Sequence, residues 1–499
     1  MVEVVDSSPK KYLNQLFHYL IGHVSSQALG FITFPVLTRI LLLTDYGILS
    51  LVTNTIWFVM SVANLGLQQS SIRYYEEFRA NKKYSLPTYY STFFLSSLLL
   101  GVCGSLILLS IAQTILKKIV DTQTVGILSF ISISVLLGCL SATLTTFLRA
   151  EQKTRLYNLL SVVSKIGAIG LSFIFLFFLI KGLYGFFFGS MLSQFLFIVL
   201  LIKIIFKNKI IGWKYFSKPF LKQAITYGLP LTIMEVSHCL LNFGDRYVIQ
   251  YYLNTKALGL YSGAYTLSMQ IVQLIDYPIL YSVPVIYFEL WENKGLKAVQ
   301  DYLRDSLKYF ALITFPIMFG VIAIAKELIV ITASHKFVSS AEIIPFVVIG
   351  GLIFASSTFF SAGLYIHKKS SVPALIMMIS AAINISLNLF LVPKYGIMGA
   401  AIATLIGYVS YVVIIIPVSF KYLSYTPDLK SLVRYLIYSA IMLMIIRQIN
   451  VDSDIGNLLI KISAGILIYF LMVLTFEPKI RKIVFRFFLK QTKYHKKTI

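Results

Sequence analysis

Apolar stretches of about 20 residues recur from one end of the chain to the other, separated by short charged or turn-forming breaks. Wound as a helix, a stretch of that length matches the roughly 30 Å hydrocarbon core of a bilayer. Lipid offers nothing to bond an open backbone, so such runs must close their own hydrogen bonds as helices. Composition agrees: 58% of the 499 residues are hydrophobic and 13% are charged, where a soluble chain carries roughly a quarter charged. No polar segment is long enough to fold as a separate soluble domain. The expected fold class is all-α, a polytopic membrane protein.

Setting apolar runs against their breaks predicts fourteen spans. Six cover 16–41, 46–68, 89–111, 125–148, 158–180 and 185–206; six more cover 225–252, 258–287, 307–331, 344–366, 373–392 and 398–420; two accessory spans cover 432–449 and 455–476. The first run is too long for a signal peptide and lacks a small-residue cleavage pattern, so it is expected to stay as a helix.

The formal net charge of +24 does not form one continuous face, which argues against nucleic acid as a partner. The cations mark topology instead. Arg73, Arg79, Lys82 and Lys83 follow the second span, Arg149, Lys153 and Arg155 the fourth, and six lysines from Lys203 to Lys222 surround the connection after the sixth. Alternate breaks hold few: residues 43–46 none, and the turns after spans five and seven Lys181 and Lys256. By the positive-inside rule both termini are cytoplasmic. The basic, Phe-containing tail after Glu477 either lies along an anionic leaflet or is solvated and reinforces topology. Cys103, Cys139 and Cys239 sit in apolar runs without metal-ligand spacing and are read as small core residues; no metal site is expected.

Two internal echoes divide the chain. Lys181-Gly182-Leu183-Tyr184-Gly185 resembles Tyr395-Gly396-Ile397-Met398-Gly399, and Tyr46-Gly47-Ile48-Leu49-Ser50 resembles Leu258-Gly259-Leu260-Tyr261-Ser262, at nearly the same separation. Two six-helix halves of like orientation follow, related by an axis along the membrane normal, with the substrate path at their interface. The expected division is 1–210, 211–424, and 425–499 for the accessory helices and tail.

Polar residues inside the spans locate that path. Glu235, His238, Asn242, Asp245 and Arg246 fall within an arc of roughly 100° on the seventh span. Ser50, Asn54, Trp57, Ser61, Asn64 and Gln68 stripe the second; His23, Ser26, Gln27, Gly30 and Thr33 the first; Ser262, Tyr265, Met269, Gln273 and Asp276 the eighth. Such faces are costly against lipid. Any single stripe could serve as interhelical glue, but stripes on spans 1, 2, 7 and 8, the equivalent pairs of the two halves, are read as lining a central cavity. Arg39, near a helix end, either snorkels or joins that path; Lys165, well inside the fifth span, is expected to face the cavity. Asp245 and Arg246 point in partly different directions and are expected to seek separate partners. Glu235, His238 and Asp276 are candidates for ion coupling; Lys326, Glu327 and Lys461 are weaker candidates.

The chain resembles the polysaccharide, or Wzx-type, flippases of the multidrug/oligosaccharidyl-lipid/polysaccharide exporter superfamily. The resemblance rests on the segment from Asn384 to Thr404 (NISLNLFLVPKYGIMGAAIAT), on Pro35-Val36-Leu37-Thr38-Arg39 with Asp45-Tyr46-Gly47, and on Asp245-Arg246-Tyr247-Val248-Ile249 with Leu258-Gly259-Leu260-Tyr261-Ser262. It implies two six-helix bundles in a V around a cavity, two further helices, and alternating access. It further implies a polyprenyl-diphosphate-linked oligosaccharide as cargo, carried to the outer leaflet of a bacterial inner membrane for O-antigen, capsule or exopolysaccharide assembly, in company with polysaccharide polymerase machinery. Arg39, Lys165 and Arg246 are then expected to form a cationic path for diphosphate, and Asn54, Asn64, Asn242, Asp245 and Gln273 to belong to the cavity that takes the glycan. No cofactor is expected beyond a coupling H+ or Na+. Two alternatives stay open: a multidrug/cation antiporter of the same fold, and a membrane glycan polymerase or ligase. The latter needs a catalytic group and a sizeable outer loop, neither of which the sequence offers, so no enzyme is expected.

Overall fold

The computed structural model describes residues 27–80, 85–180, 182–207, 209–478 and 481–482. His23, Ser26, Lys82, Lys83, Lys181 and the tail after Lys482 lie outside them. Among the described residues the regular structure is helical. The first half holds α1 (Gln27–Ile40), α2 (Leu43–Ala63), α3 (Leu67–Ala80), α4 (Leu86–Thr114), α5 (Thr122–Phe130), α6 (Ser134–Ala150), α7 (Thr154–Ile174) and α8 (Leu183–Phe206). The second holds α9 (Lys218–Tyr252), α10 (Thr255–Thr332), α11 (Ile344–Ala355), α12 (Ser357–Phe360), α13 (Ala362–Ile366) and α14 (Ser371–Phe420); α15 (Leu429–Ile446) and α16 (Asp454–Phe476) follow.

Among the described residues nine of these helices, and the run His335–Phe360 that contains α11 and α12, are long and apolar enough to cross a bilayer, and α5 with α6 forms an eleventh span bent by 45°. Gly295 (φ 74°) divides the 78-residue α10 and Gly396 (φ 59°) the 50-residue α14, so each carries two of the expected spans. The chain is a multi-pass membrane protein with two helical bundles and two accessory helices. Three expected spans are less regular than hydropathy suggests. The second breaks where Leu65 (φ 44°) and Gly66 (φ 68°) turn left-handed, and continues as the polar α3; the fourth is the bent α5–α6 pair; the tenth is split into α11, α12 and α13. Hydropathy averages over a window and does not register a single left-handed residue.

Within the first half α4 packs on α6, α6 on α8 and α7 on α8; within the second α9 packs on α14, and α11 on α10 and α14. The accessory α15 and α16 pack on each other and on α10. The halves meet through α2, which touches α10 and α9 as well as its own α4 and α6. Lipid is as apolar as the side chains, so close backbone packing has to hold such helices together. The sequence echoes mark where it does. A Cβ on Gly47 would lie 2.4 Å from the Thr255 carbonyl oxygen, and one on Gly259 1.8 Å from that of Leu43, so the two echoed glycines face each other across the seam. Tyr46 beside them meets Phe337 edge-on at 5.7 Å.

The segment joining the halves is pinned to the first. Glu151, after α6, accepts bonds from Lys153 (2.6 Å), Lys209 and Tyr90 Oη (2.7 Å). Burial pushes its pKa up, but these three bonds outweigh that and hold the carboxyl below its ordinary range. The backbone N–H groups of Gly212 and Ser217 donate to Ser91 Oγ and Thr92 Oγ1 on α4.

Two residue readings need correction. Cys103 is exposed on the lipid side of α4 rather than in the core, while Cys139 and Cys239 are buried. Glu327 and Lys461 form a buried ion pair at 2.7 Å that fastens α16 to α10, with Asn457 Nδ2 donating to the same carboxylate oxygen at 2.7 Å. Neither lies on the interface between the halves.

Candidate functional site

Between the halves lies a cavity of about 630 Å³. Its walls are four helical faces. Gln27 comes from α1; Ser50, Asn54, Trp57 and Ser61 from α2; Glu235, His238, Asn242 and Arg246 from α9; Tyr265, Met269, Gln273 and Tyr277 from α10. Positions 50, 54, 57 and 61 share one side of α2, and 235, 238, 242 and 246 one side of α9, because 3.6 residues complete a turn. The Trp57 indole on this wall is 57% exposed.

Direct bonds across the seam frame the cavity. Gln27 Nε2 donates to Gln273 Oε1 (2.5 Å), Ser61 Oγ to Glu235 Oε1 (3.3 Å), and Arg246 Nε to Ser50 Oγ (3.3 Å). Each joins one half to the other.

Arg246 is 3% exposed. Its Nη1 donates to the Asn242 carbonyl oxygen (2.7 Å) and to Asp245 Oδ1 (2.9 Å), and its guanidinium stands 4.4 Å over the Tyr265 ring. Asp245, 0% exposed, turns away from the cavity into the second half, where its Oδ2 accepts from Tyr261 Oη and from Thr404 Oγ1 (3.4 Å). Asn242 Oδ1 accepts from Tyr408 Oη (2.5 Å) and Tyr265 Oη (3.2 Å). The neighbours thus pair with each other, contrary to expectation, as well as with separate partners. A charge buried this deeply persists only with such compensation.

Of the expected site residues, Asn54, Asn242, Arg246, Gln273, Glu235 and His238 are brought together on the cavity. Asn64, Lys165, Asp276 and Asp245 are not among its lining residues. Arg39 sits at one end of the seam, where Nη2 donates to the Ile331 carbonyl oxygen (2.6 Å) and Nη1 to that of Pro35 (3.1 Å). A cation there meets the negative end of α10. Arg39 and Lys165 therefore do not join Arg246 in one cationic path. Among the described residues, the ionisable lining groups besides tyrosine and Cys239 are Glu235, His238 and Arg246. With Asp245 compensating Arg246, Glu235 is the charged group left on a wall otherwise rich in amides and aromatic rings. Tyr408 and Thr404 on α14 complete the network behind it; the sequence placed Thr404 in the flippase-like segment but gave no sign of either bond.

The comparisons with known proteins agree with this architecture. The family described as "Polysaccharide biosynthesis protein" matches residues 36–342. Uncharacterized membrane protein MJ1068 of Methanocaldococcus jannaschii is 27% identical over 209 residues, 40% of this chain and 39% of that protein. The probable low-salt glycan biosynthesis flippase Agl15 of Haloferax volcanii is 22% identical over 283 residues, 54% of this chain and 58% of that protein. The matches thus span less than two thirds of either relative. Among solved structures, the lipid II flippase MurJ in an inward closed conformation superposes with a TM-score of 0.76 at 18% identity, covering 93% of this chain and 99% of that one. An inward-facing MATE family transporter of the MOP superfamily superposes at 0.65 and 14% identity, covering 80% and 94%. A family match running over more than half of the chain makes this chain a member of the polysaccharide biosynthesis protein family, on a fold shared almost end to end with a lipid II flippase.

Proposed function

We propose that the protein is a flippase that carries a polyprenyl-diphosphate-linked oligosaccharide from the cytoplasmic to the outer leaflet by alternating access, for assembly of an extracytoplasmic polysaccharide such as O-antigen, capsule or exopolysaccharide. One observation carries the reading: a polar chamber of about 630 Å³ between two similar bundles, in a chain whose outer surface is apolar. A sugar taken bare through hydrocarbon leaves each hydroxyl unbonded at several kcal/mol apiece. Amides of Gln27, Asn54 and Gln273 bond hydroxyls, and the Trp57 face stacks on a sugar ring. Among the described residues Arg246 is the one guanidinium on the wall, and it takes a phosphate oxygen by a charge-assisted bond. Glu235 and His238 face the chamber and Asp276 lies near it; these are the groups that would exchange H+ or Na+ if transport is ion-coupled. The cation pattern of the sequence supports cytoplasmic termini in a cytoplasmic membrane, and hand-over of the cargo to a polymerase follows from the same role. The names of the Agl15 and MurJ relatives fit this class of cargo.

Glu235 on the wall and the MATE neighbours favour one second reading, a cation antiporter. Proteoliposomes separate the two. A fluorescent lipid-linked oligosaccharide should become accessible to an impermeant glycosidase on the far side, and Asn54→Ala with Gln273→Ala should slow this at least about tenfold, as expected for two lost hydrogen bonds. The cargo should be recovered with unchanged mass, where a polymerase or ligase would alter it. If no lipid-linked glycan moves while a lipophilic cation does, the antiporter reading replaces this one.

A further inference from the structure

A second, smaller pocket of about 210 Å³ adjoins the chamber, and Asn54, Cys239 and Phe243 border both. It lies between α2 and α4 of the first half and α9 of the second, lined by Phe58, Val59, Leu108, Ile111, Leu240 and Phe243. Its two hydroxyls are already bonded, and Asn54, on the border with the chamber, turns one N–H to Ser50. Thr55 Oγ1 donates to the Leu51 carbonyl oxygen (2.6 Å) and is bonded to Tyr247 Oη (2.5 Å), and Asn54 Nδ2 donates to Ser50 Oγ (3.2 Å). A sugar or a water chain entering here would find almost nothing to bond, and a site without polar partners stays dry.

We propose that this pocket is a hydrocarbon subsite, which takes the first units of the cargo's lipid chain while the polar head occupies the chamber. The inference rests on the flippase reading. A polar room and an apolar one side by side, sharing Asn54, Cys239 and Phe243, match a molecule whose head and tail are covalently joined. The bulk of a polyprenyl tail is at home in the bilayer, so burying it in protein gains little. The units next to the phosphate have no such choice, because the head holds them inside the protein. Left in the wet chamber, each methylene forfeits about fourfold in affinity relative to an apolar wall. Because both halves build the pocket, its occupation also reports to the seam that must move.

The test uses the full chain in proteoliposomes and a glycosyl diphosphate carrier with a photoreactive diazirine on the first isoprene unit. On irradiation, adducts should fall on peptides containing Phe58, Ile111 or Leu240. Leu240→Trp and Ile111→Phe, which fill the pocket, should each slow transport of the long-chain cargo about tenfold, while a two-carbon-chain analogue with the same head moves at the parent rate. Adducts confined to α15, α16 or the α1–α10 side of the chamber would overturn the subsite, since they need no variant to fold. So would pocket-filled variants that move long-chain cargo normally. In either case the loss of transport in the Gln273→Ala chamber variant would leave the flippase reading standing, whereas unchanged transport in that variant would remove the flippase reading itself.

Discussion

Arg246 on α9 reaches across the seam to Ser50 on α2, Nε to Oγ at 3.3 Å, while its other edge is held by Asp245 within its own half. The bond across the seam is neutral at one end, worth about 1.5–3 kcal/mol, and more easily exchanged than the buried pairing with Asp245. The guanidinium is thus fixed to one half and only leans on the other, an arrangement suited to releasing the seam without moving the charge.

Removing that charge alone should damage the fold. Arg246→Gln strands a carboxylate that is 0% exposed, which costs about 3–5 kcal/mol. Asp245→Asn combined with Arg246→Gln should recover most of the melting temperature in detergent yet fail to transport lipid-linked glycan. Parent-rate transport by the double variant would show that Arg246 takes no part in holding the head group.

How far the sequence disclosed this site depended on whether helical spacing decides the matter. Glu235, His238, Asn242 and Arg246 share a face by periodicity, and they share the chamber. Asp245 is one residue from Arg246, a turn of about 100°, and that step alone sends it into the second half. The partners behind the wall were not legible. Tyr408 and Thr404 stand about 160 residues from Asn242 and Asp245 in sequence, and their bonds come from how α14 lies on α9. Arg39 was ambiguous for a related reason: its partners are backbone carbonyls, that of Pro35 one turn away and that of Ile331 nearly 300 residues away, which carry no side-chain signature. The paired glycines were visible as an echo, but their contact was not.

The Glu327–Lys461 pair should behave as a fastening for α16 rather than as part of the transport path. Lys461→Met leaves Glu327 buried with only Asn457 beside it and should lower stability by about 3–5 kcal/mol. Adding Glu327→Gln should restore most of it, and transport should then be near the parent rate. A stable double variant that no longer transports would place the pair in the mechanism after all.

Asp428, at the start of α15, should make the accessory helices sensitive to acid. Its side chain accepts from Ser431 Oγ (2.7 Å), the Ser431 N–H (3.2 Å) and Lys308 Nζ (3.2 Å), and these bonds, that of the Ser431 hydroxyl foremost, bring its pKa from 3.8 down to about 2. A carboxyl whose folded pKa lies below its unfolded value stabilises the fold above the unfolded value and loses that contribution as pH falls through the folded one. Between about pH 4 and 2, melting of the parent should therefore decline more steeply than that of Asp428→Ala. At neutral pH that variant should be less stable by about 1 kcal/mol, the worth of a helix cap. Parallel melting curves for the two across that range would rule this out.

Two backbone contacts at opposite ends of the chamber should set which side is open. Gly47 precedes the α2 residues on the wall and meets Gly259; Gly66 follows them and meets Gly228, where an added Cβ would lie 2.7 Å from the Gly66 carbonyl oxygen. Closure at either end needs a backbone to approach where a methyl group would stand. A methyl forced into such a contact costs about 1–3 kcal/mol in the closed form only, which shifts the balance toward opening at that end by about five- to a hundredfold. Gly259→Ala should therefore open one end and Gly228→Ala the other. The reporter is a cysteine at the accessible Thr53 of the wall, in a chain whose three native cysteines are replaced, labelled by an impermeant maleimide from each side of the membrane in turn. Labelling should rise from opposite sides in the two variants. An increase from the same side in both, or in neither, would mean that these glycines pack the halves without gating the space between them.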